Sequence, residues 1–289
     1  MSNDVFDLAE FEVDEDEARA KEQQLKDILG AYPSLVVAYS GGVDSAYLSD
    51  IAHEVLGEKV QMILADSPSL PRSEFKEATE LAEQRGWNLI VIHTDEFQNE
   101  AYLKNDGNRC YFCRSELFRK MREYSDANNV EVLAYGAMAD DSFDPTRLGQ
   151  LAATEYEIVA PLQASDLGKN AIRFLSKDRG LPTHGKAAFA CLSSRFPKGV
   201  EVTLEAIQQV EDAEETLKGM GFYQYRARHH GEICRIEIDM KDADKMLDEK
   251  VRTVIVRDIQ KAGYKHVALD LSGYVDPNAA GMASQKYTS

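Results

Sequence analysis

The first two thirds of the chain alternate between short apolar runs and longer segments whose apolar positions recur with helical spacing. The apolar runs predict strands at Leu35–Tyr39, Val60–Ala65, Leu89–His93, Val132–Tyr135 and Ile158–Ala160. The longer segments predict helices at Ala18–Leu29, Ser45–Leu56, Arg72–Arg85, Ser115–Asn128 and Leu167–Arg179. Strands separated by helix-length segments indicate an α/β fold, with a parallel sheet covered by helices on both faces.

The rest of the chain predicts a smaller C-terminal α+β domain, in the order helix, hairpin, helix and strand, after an irregular loop. We therefore expect an acidic N-terminal segment that is disordered, an α/β domain, a functional loop, a small α+β domain for substrate binding or oligomerisation, and a tail. Their bounds are 1–17, 18–188, 189–200, 201–275 and 276–289 in that order.

The predicted hairpin gathers positive charge on one face. Period-2 alternation places Arg226, Arg228 and His230 on the same face of its first strand, and Arg235 shares a face with Glu237 on the second. In an acidic protein these arginines suit a small phosphate-bearing ligand. A solvated face with charge pairs such as Arg235 with Glu237 is the alternative.

The hexapeptide Ser-Gly-Gly-Val-Asp-Ser at residues 40–45 joins the first predicted strand to an amphipathic helix. Gly41 and Gly42 let backbone N–H groups approach an anion, and the helix N-terminus adds partial positive charge. The hydroxyls of Ser40 and Ser45 can donate hydrogen bonds, and the Asp44 carboxylate suits a Mg²⁺ ion that bridges phosphates.

No lysine follows the glycines of this loop, which disfavours the grip of kinase-like phosphate loops. The loop instead matches the S-G-G-x-D-S pattern of enzymes that split ATP into AMP and pyrophosphate. A helix-capping turn, with Asp44 or Ser45 as the N-cap, is the alternative. Ligands of parallel sheets lie at the carboxyl ends of strands. The predicted ATP-binding residues are therefore those of the loop, including Val43, together with the strand-end residues Ala38, Ser67 and Gly136.

The formal net charge is −17, from 50 acidic and 33 basic residues. Such a surface repels polyanions, which argues against RNA or DNA as a partner. The sequence has neither a signal-peptide pattern nor an apolar run near the length of a membrane span, so we expect a cytoplasmic protein without membrane binding. In that reducing compartment the four cysteines are candidates for metal or redox chemistry.

Three of the cysteines are candidate metal ligands. Cys110 and Cys113 form a Cys-x-x-Cys pair, and Cys191 begins the segment Cys-Leu-Ser-Ser-Arg-Phe-Pro. Cys234 lies in an apolar row of the hairpin and is predicted to be a small core residue. A zinc site takes four ligands, whereas three cysteines suit an iron–sulfur cubane with one iron open. The pattern favours a 4Fe–4S cluster, with structural zinc and unliganded thiols as alternatives.

Four stretches of the chain together resemble the LarE family of PP-loop sulfur transferases. They are the Ser40 loop, Gly136–Asp141 with Asp144 and Arg147, the Cys191–Pro197 loop and the Arg226–Glu237 hairpin. The resemblance covers Ala18 to Gly273 and implies a Rossmann-like fold of the HUP type. It also implies ATP-dependent adenylation of the carboxylates of pyridinium-3,5-biscarboxylic acid mononucleotide, followed by replacement of AMP with sulfur. The product is the precursor of the nickel-pincer cofactor of lactate racemase, and the family suggests a homo-oligomer.

The resemblance also indicates which residues act. Family site positions fall on Ser194, Glu214, Arg226 and Glu237, and with these we expect Cys191 and Arg195 to be catalytic. The candidates to hold the substrate's phosphate and carboxylates are Arg195, Arg226, Arg228 and Arg235. A loop-bracing salt bridge for Arg195 and a solvated helix face for Glu214 are the alternatives.

One position departs from the family members that give up their own cysteine sulfur. Their sacrificial cysteine lies four residues before the Ser-Arg pair, and here that position is Ala190. With Cys110, Cys113 and Cys191 the chain is similar to the branch that carries sulfide on a three-cysteine 4Fe–4S cluster, so we expect sulfide or another sulfur donor as co-reactant. A PP-loop tRNA thiolase, which would need a basic surface, and an ATP-sensing domain with structural zinc are the alternative functions.

Overall fold

The computed structural model describes residues 13–143, 148–186 and 190–275. The chain divides into two compact units, the first comprising Met1–Tyr102 and Asn108–Phe189 and the second Leu103–Gly107 and Ala190–Ser289. Within the described ranges, no helix is both long and apolar enough to cross a lipid bilayer. The parts of the sequence analysis that concern Asp144, Arg147, Phe189 and the segments 1–12 and 276–289 lie outside these ranges.

The first unit is built on a parallel sheet. Its strands are β1 (Leu35–Ala38), β2 (Val60–Asp66), β3 (Leu89–His93) and β4 (Val132–Tyr135). They lie in the order β3-β2-β1-β4, and all three neighbouring pairs are parallel. The strand order reverses between β1 and β4, and open α/β sheets bind ligands at the carboxyl edge of such a point.

Helices cover both faces of this sheet, as the sequence predicts. Up to residue 178 they are α1 (Glu15–Gly30), α2 (Val43–Leu56), α3 (Arg72–Gln84), α4 (Glu100–Leu103), α5 (Arg109–Asn128), α6 (Leu148–Glu155), α7 (Pro161–Ala164) and α8 (Lys169–Asp178). Successive side chains of a strand point to opposite faces. Val37 therefore packs in a core with Leu48 of α2 and Ile172 of α8, while Val36 packs in a second core with Phe118 of α5. The predicted α/β class is confirmed.

Several boundaries differ from the prediction. Helices α2 and α8 begin at Val43 and Lys169, each two residues from the predicted start. Helix α5 begins at Arg109 rather than at Ser115, because no glycine or proline interrupts the helical run after residue 107. Helix α1 begins at Glu15, since the Asp14 side chain caps it by accepting a hydrogen bond from the Glu17 backbone N–H at 3.0 Å. The strand predicted at 158–160 is reduced to one parallel bridge from residue 159 to β4.

The second unit contains a small mixed sheet with helices, and it confirms the predicted α+β class. Its elements are α9 (Leu204–Gly219), β5 (Tyr225–His230), β6 (Ile233–Ile238), α10 (Ala243–Leu247), α11 (Glu249–Lys261) and β7 (His266–Leu269). Strands β5 and β6 form the predicted antiparallel hairpin, and β7 pairs with β6 in parallel. Its core joins Leu217 of α9, Ile259 of α11 and Cys234 of β6, which confirms the core position predicted for Cys234.

Candidate active site

The Ser40–Ser45 loop lies between the end of β1 and the first turn of α2. Ser45 Oγ accepts a hydrogen bond from the Ser40 backbone N–H at 3.1 Å and donates one to the Gly42 carbonyl at 3.3 Å. The two serine hydroxyls are 3.0 Å apart. No side chain of the described residues caps α2 at Gly42, so the first N–H groups of the helix remain for an anion.

Two glycines allow close backbone contacts around this loop. Gly41 has φ +72°, and a Cβ atom on it would lie 2.7 Å from the Cβ of Ala78 in α3. Gly136 follows β4, and a Cβ atom there would lie 3.1 Å from the backbone N of Ser45. Side chains at these positions would push the loop away from α3 and from the end of β4. The glycines therefore set the position of the loop at the carboxyl edge of the sheet.

The carboxylate of the loop has a lysine partner from a distant part of the chain. Lys169 Nζ donates to both oxygens of Asp44, at 2.8 and 2.9 Å. The backbone N–H of Lys169, the first residue of α8, donates to Asp140 Oδ2 at 2.8 Å. Asp140 lies in the turn that follows β4, so this turn holds the helix end from which Lys169 reaches the loop.

A second lysine connects the loop to α3. Lys186 Nζ lies 2.5 Å from Glu74 and 3.1 Å from Glu77, both on α3, and 3.4 Å from the Gly41 carbonyl oxygen. The buried Arg173 of α8 donates to the Lys186 carbonyl at 2.8 Å. The glycine turn is thus joined through Lys186 to both α3 and α8.

Ser67, which directly follows β2, belongs to a buried polar group rather than to an open surface. Its hydroxyl donates to the Glu96 carboxylate and accepts from the Ser69 backbone N–H at 3.0 Å. Glu96 is only 2% exposed, and its Oε2 has no hydrogen-bond partner among the described residues. Ala38 is the last residue of β1, two residues before Ser40.

In the second unit, Arg195 is 1% exposed and joins three elements. Its Nε and Nη2 donate to the two oxygens of Glu214 on α9, at 2.8 and 3.0 Å. Its Nη1 donates to the carbonyls of Ala190 and Cys191, at 2.5 and 3.1 Å, and to Ser194 Oγ at 2.8 Å. Glu214 also accepts from the backbone of β5 at 3.0 Å. This geometry is that of a brace for the 190–195 segment, the alternative that the sequence left open.

The hairpin register places the predicted arginines on one face. Arg226 lies opposite Glu237, and Arg228 lies opposite Arg235. Arg228 donates to Glu237 Oε2 at 2.8 Å and Arg235 lies 3.0 Å from Glu237 Oε1, so one carboxylate bridges two guanidinium groups. Glu237 is thus held between cations. The Nε of Arg228 is buried and has no partner in the described part of the chain.

Arg226 lies in a different environment from the other two arginines. Its guanidinium carbon is 4.9 Å from the ring centre of Tyr274, a cation–π contact, and its Nη1 donates to the Tyr225 carbonyl at 2.7 Å. Burial and the nearby positive charge of Arg195 hold the pKa of Arg226 below its ordinary value. An anion beside this group would relieve both effects.

The cysteines fall in both units. Cys110 is exposed and Cys113 partly buried, and their i, i+3 spacing in the first turn of α5 puts them on one side of that helix. Cys191, partly buried, precedes the short helix Leu192–Arg195 in the second unit. Burial raises the pKa of the Cys234 thiol to about 12. In residues 13–143, 148–186 and 190–275, no group of three or more His, Cys, Asp or Glu side chains is arranged to hold a metal ion.

Lys169 and Lys186 at the loop and Glu96 at the edge of the sheet are not predicted by the sequence patterns. Lys169 is the first residue of α8. A helix that begins near the point where the strand order reverses is a signal that could have marked this lysine as a site residue. Glu96 follows β3 in a polar stretch, and only its burial in the fold distinguishes it from the neighbouring polar residues. Lys186 directly follows a short helix beyond α8, and its sequence surroundings carry no such signal.

Comparison with known proteins finds relatives that cover most of the chain. No family model matches it. Pyridinium-3,5-bisthiocarboxylic acid mononucleotide synthase of Lactiplantibacillus plantarum is 31% identical over 241 residues, 83% of this chain and 86% of that protein. An uncharacterized protein of Synechocystis sp. is 36% identical over 255 residues, 88% of this chain and 95% of its own length. One subunit of the glutamine-hydrolyzing GMP synthase of Methanocaldococcus jannaschii is 28% identical over 190 residues, 62% of this chain and 58% of its own. The chain belongs to the family of pyridinium-3,5-bisthiocarboxylic acid mononucleotide synthase, the LarE family.

Proposed function

We propose that this protein is an ATP-dependent sulfur transferase that converts the carboxylates of pyridinium-3,5-biscarboxylic acid mononucleotide into thiocarboxylates. The observation that carries the proposal is the Ser40–Ser45 loop at the uncapped N-terminus of α2, in a chain of the LarE family. The relative from Lactiplantibacillus plantarum is named for the synthesis of the bisthiocarboxylic product. The product would serve as the precursor of the nickel-pincer cofactor of lactate racemase.

The reaction needs two displacements at each carboxylate. A carboxylate oxygen attacks the α-phosphorus of ATP, the bond between the α-phosphorus and the bridging oxygen breaks, and pyrophosphate leaves. Sulfide then attacks the acyl carbon of the adenylate, the carbon–oxygen bond breaks, and AMP leaves with the electron pair. No oxidant or reductant is required, since sulfide supplies sulfur at the oxidation level of the thiocarboxylate. ATP is consumed because a free carboxylate has no leaving group.

The loop residues have the chemistry that the first displacement needs. The Ser40 and Ser45 hydroxyls, with the first N–H groups of α2, can donate to the β- and γ-phosphates. Asp44 offers hard carboxylate oxygens, the ligands that Mg²⁺ prefers, and a bound Mg²⁺ would neutralise charge on the departing pyrophosphate. Gly136 keeps the end of β4 against the backbone of Ser45 and so fixes this arrangement.

The hairpin arginines are the proposed binders of the substrate's phosphate and carboxylates. Arg226 is held over Tyr274 with its charge partly desolvated, and the Nε of Arg228 lacks an acceptor among the described residues. Both features favour an anionic ligand, because an anion would offer an acceptor to the Arg228 Nε and would offset the desolvation of the Arg226 charge. Glu237 and Glu214 would act as positioning groups that orient Arg228 and Arg195.

We further propose that the sulfur does not come from the protein chain. Ala190 stands where a sacrificial cysteine would lie, and it has no sulfur to give. Cys110, Cys113 and Cys191 are the thiolates that would hold a 4Fe–4S cluster, and the support is their number, their accessibility and the one-turn spacing of the first two. A cluster with three protein ligands supplies one open iron that can carry sulfide.

Nucleotide analysis tests the reaction class. With ATP, Mg²⁺ and the biscarboxylic mononucleotide, we expect AMP and pyrophosphate as products, and an Asp44→Asn variant should lose about a hundredfold or more in rate. Asp126→Asn, an exposed change on α5, is the matched control. ADP and phosphate as products would contradict the proposal.

Metal analysis tests the sulfur carrier separately. Anaerobically purified protein should contain iron and acid-labile sulfide, and a serine at position 110, 113 or 191 should remove both. Cys234→Ser is the matched control, because Cys234 is a core residue and its replacement should lower stability alone. Zinc in place of iron would favour a structural metal site, and protein without metal would remove the cluster from the proposal.

A further inference from the structure

Asp44 of the proposed phosphate site is paired with Lys169. Lys169 Nζ lies within 2.9 Å of both Asp44 oxygens, and the side chains of Lys169 and Asp44 are 29% and 23% exposed. The carboxylate that would bind Mg²⁺ is therefore engaged on both oxygens by an ammonium group. The lysine comes from α8, far from the loop in sequence, so the loop pattern alone gives no indication of it.

A Mg²⁺ ion and the Lys169 ammonium group compete for the Asp44 carboxylate. Both are cations, and two cations at one carboxylate repel each other strongly at such distances. Mg²⁺ has the higher charge and a fixed geometry, whereas the ammonium is a point charge on a flexible four-carbon stem. The lysine is therefore the group that moves when the metal binds.

We propose that Lys169 exchanges partners during the reaction cycle, holding Asp44 in the empty site and binding a phosphate oxygen of ATP or pyrophosphate once Mg²⁺ occupies the carboxylate. This inference rests on the proposed function, since it takes the loop as the triphosphate site. Lys169 thus supplies from α8 the phosphate-binding cation that the loop's own sequence lacks. Its ligand class is a polyphosphate with its divalent cation.

The backbone of Lys169 is fixed, and this limits the exchange to one side chain. Its N–H donates to Asp140 Oδ2 at 2.8 Å, and a Cβ atom on the preceding Gly168 would lie 3.3 Å from the same carboxylate. The helix end is thus held by Asp140 while the side chain alone reaches Asp44. Rotation about the side-chain bonds is sufficient, and α8 keeps its place.

Binding of inorganic pyrophosphate tests the exchange without any turnover. Calorimetric titrations with pyrophosphate and Mg²⁺ compare the full-length wild type with Lys169→Met and with Lys177→Ala, an exposed control on the same helix. We expect Lys169→Met to bind pyrophosphate about tenfold or more weakly, the loss of one charge-assisted hydrogen bond. The control should bind as the wild type does.

A second titration examines the empty site. Without pyrophosphate, Mn²⁺ as a spectroscopic substitute should bind Lys169→Met more tightly than the wild type, because the competing ammonium is gone. Should Lys169→Met fail to fold, Lys169→Gln, which keeps a polar side chain without the charge, is expected to give the same two changes.

Two outcomes would contradict the proposals, one the partner exchange alone and the other the proposed function as well. Equal pyrophosphate affinity in the wild type and in the Lys169 variants would overturn the exchange and leave a fixed structural ion pair. Absence of pyrophosphate binding in the wild type would instead contradict the proposed function itself, and the exchange would fail with it.

Discussion

Arg195 and Glu214 form a two-pronged ion pair in the interior of the second unit, with N–O distances of 2.8 and 3.0 Å. The third nitrogen of the guanidinium reaches the carbonyls of Ala190 and Cys191. The pair therefore connects the loop that carries Cys191 to helix α9. It gives the loop a defined shape without placing Arg195 at the surface.

Removal of one partner should be costly. Arg195→Ala leaves the Glu214 carboxylate buried without its counter-charge, and we expect a loss of about 3–5 kcal/mol in the free energy of unfolding, measured by urea denaturation. Glu205→Gln, an exposed change on the same helix, is the control and should stay within about 0.5 kcal/mol of the wild type. A loss below about 1 kcal/mol for Arg195→Ala would show that the pair does not brace the loop.

Replacement of Gly41 by alanine should separate steric conflict from backbone strain. Gly41 and Gly86 both have positive φ, +72° and +66°, but the added Cβ meets Ala78 at 2.7 Å in the first case and nothing within 4 Å in the second. Gly86→Ala therefore serves as the control for backbone strain without a steric contact. We expect Gly41→Ala to lose about 1–3 kcal/mol more stability than Gly86→Ala. Equal losses of stability in the two variants would show that the close contact with α3 does not exclude a side chain at position 41.

Arg226→Ala should weaken binding of the mononucleotide substrate more than binding of ATP. The reason is that Arg226 lies on the hairpin face with Arg228, where an anion would relieve its desolvated charge. The expected loss is about tenfold or more in substrate affinity, measured by calorimetry. Arg257→Ala, an exposed change on α11, serves as control. An unchanged substrate affinity would exclude Arg226 from the site.

The stability of the second unit should fall as the pH is lowered from about 7.5 to about 5.5, in part through His229. Its ring stacks on Phe196 with ring centres 4.9 Å apart, and its Nδ1 lies 3.0 Å from the Tyr264 hydroxyl. Burial and the neighbouring His230 hold its pKa below the ordinary value of 6.5. Below about pH 6.5 the unfolded chain therefore binds a proton that the folded protein does not, and folding becomes less favourable.

Denaturation at several pH values measures this effect. His229→Gln should flatten the dependence of the unfolding free energy on pH between about 7.5 and about 5.5, whereas His266→Gln, an exposed change on β7, should leave it unaltered. An identical pH dependence in the wild type and in His229→Gln would contradict the role of this histidine.

The sequence predicts those features of the structure that depend on residues close to one another in the chain. The strand at Leu89–His93 and the loop with Asp44 follow from local patterns, and the structure has both where they were expected. The hairpin register also follows from alternation, because the apolar face must be buried. The start of α5 was missed, since the residues after Gly107 favour helix as much as turn.

The partners of the site residues could not be predicted in this way. Lys169 meets Asp44 only because the connection after β4 brings α8 back to the loop. The pattern left Arg195 open between substrate contact and brace, because burial by α9 depends on tertiary packing. The sequence patterns thus indicate which charged residues belong to the site, whereas the ion-pair partner of each one depends on the tertiary structure.

The most direct test of the proposed sulfur transfer follows the product and the protein by mass spectrometry in one experiment. The wild type is incubated anaerobically with ATP, Mg²⁺, sulfide and the biscarboxylic mononucleotide. We expect several thiocarboxylate products per chain, each with sulfur in place of a carboxylate oxygen, and an intact protein mass that does not change. Formation of at most one product per chain, with Cys191 converted to dehydroalanine, would contradict the proposed sulfur transfer.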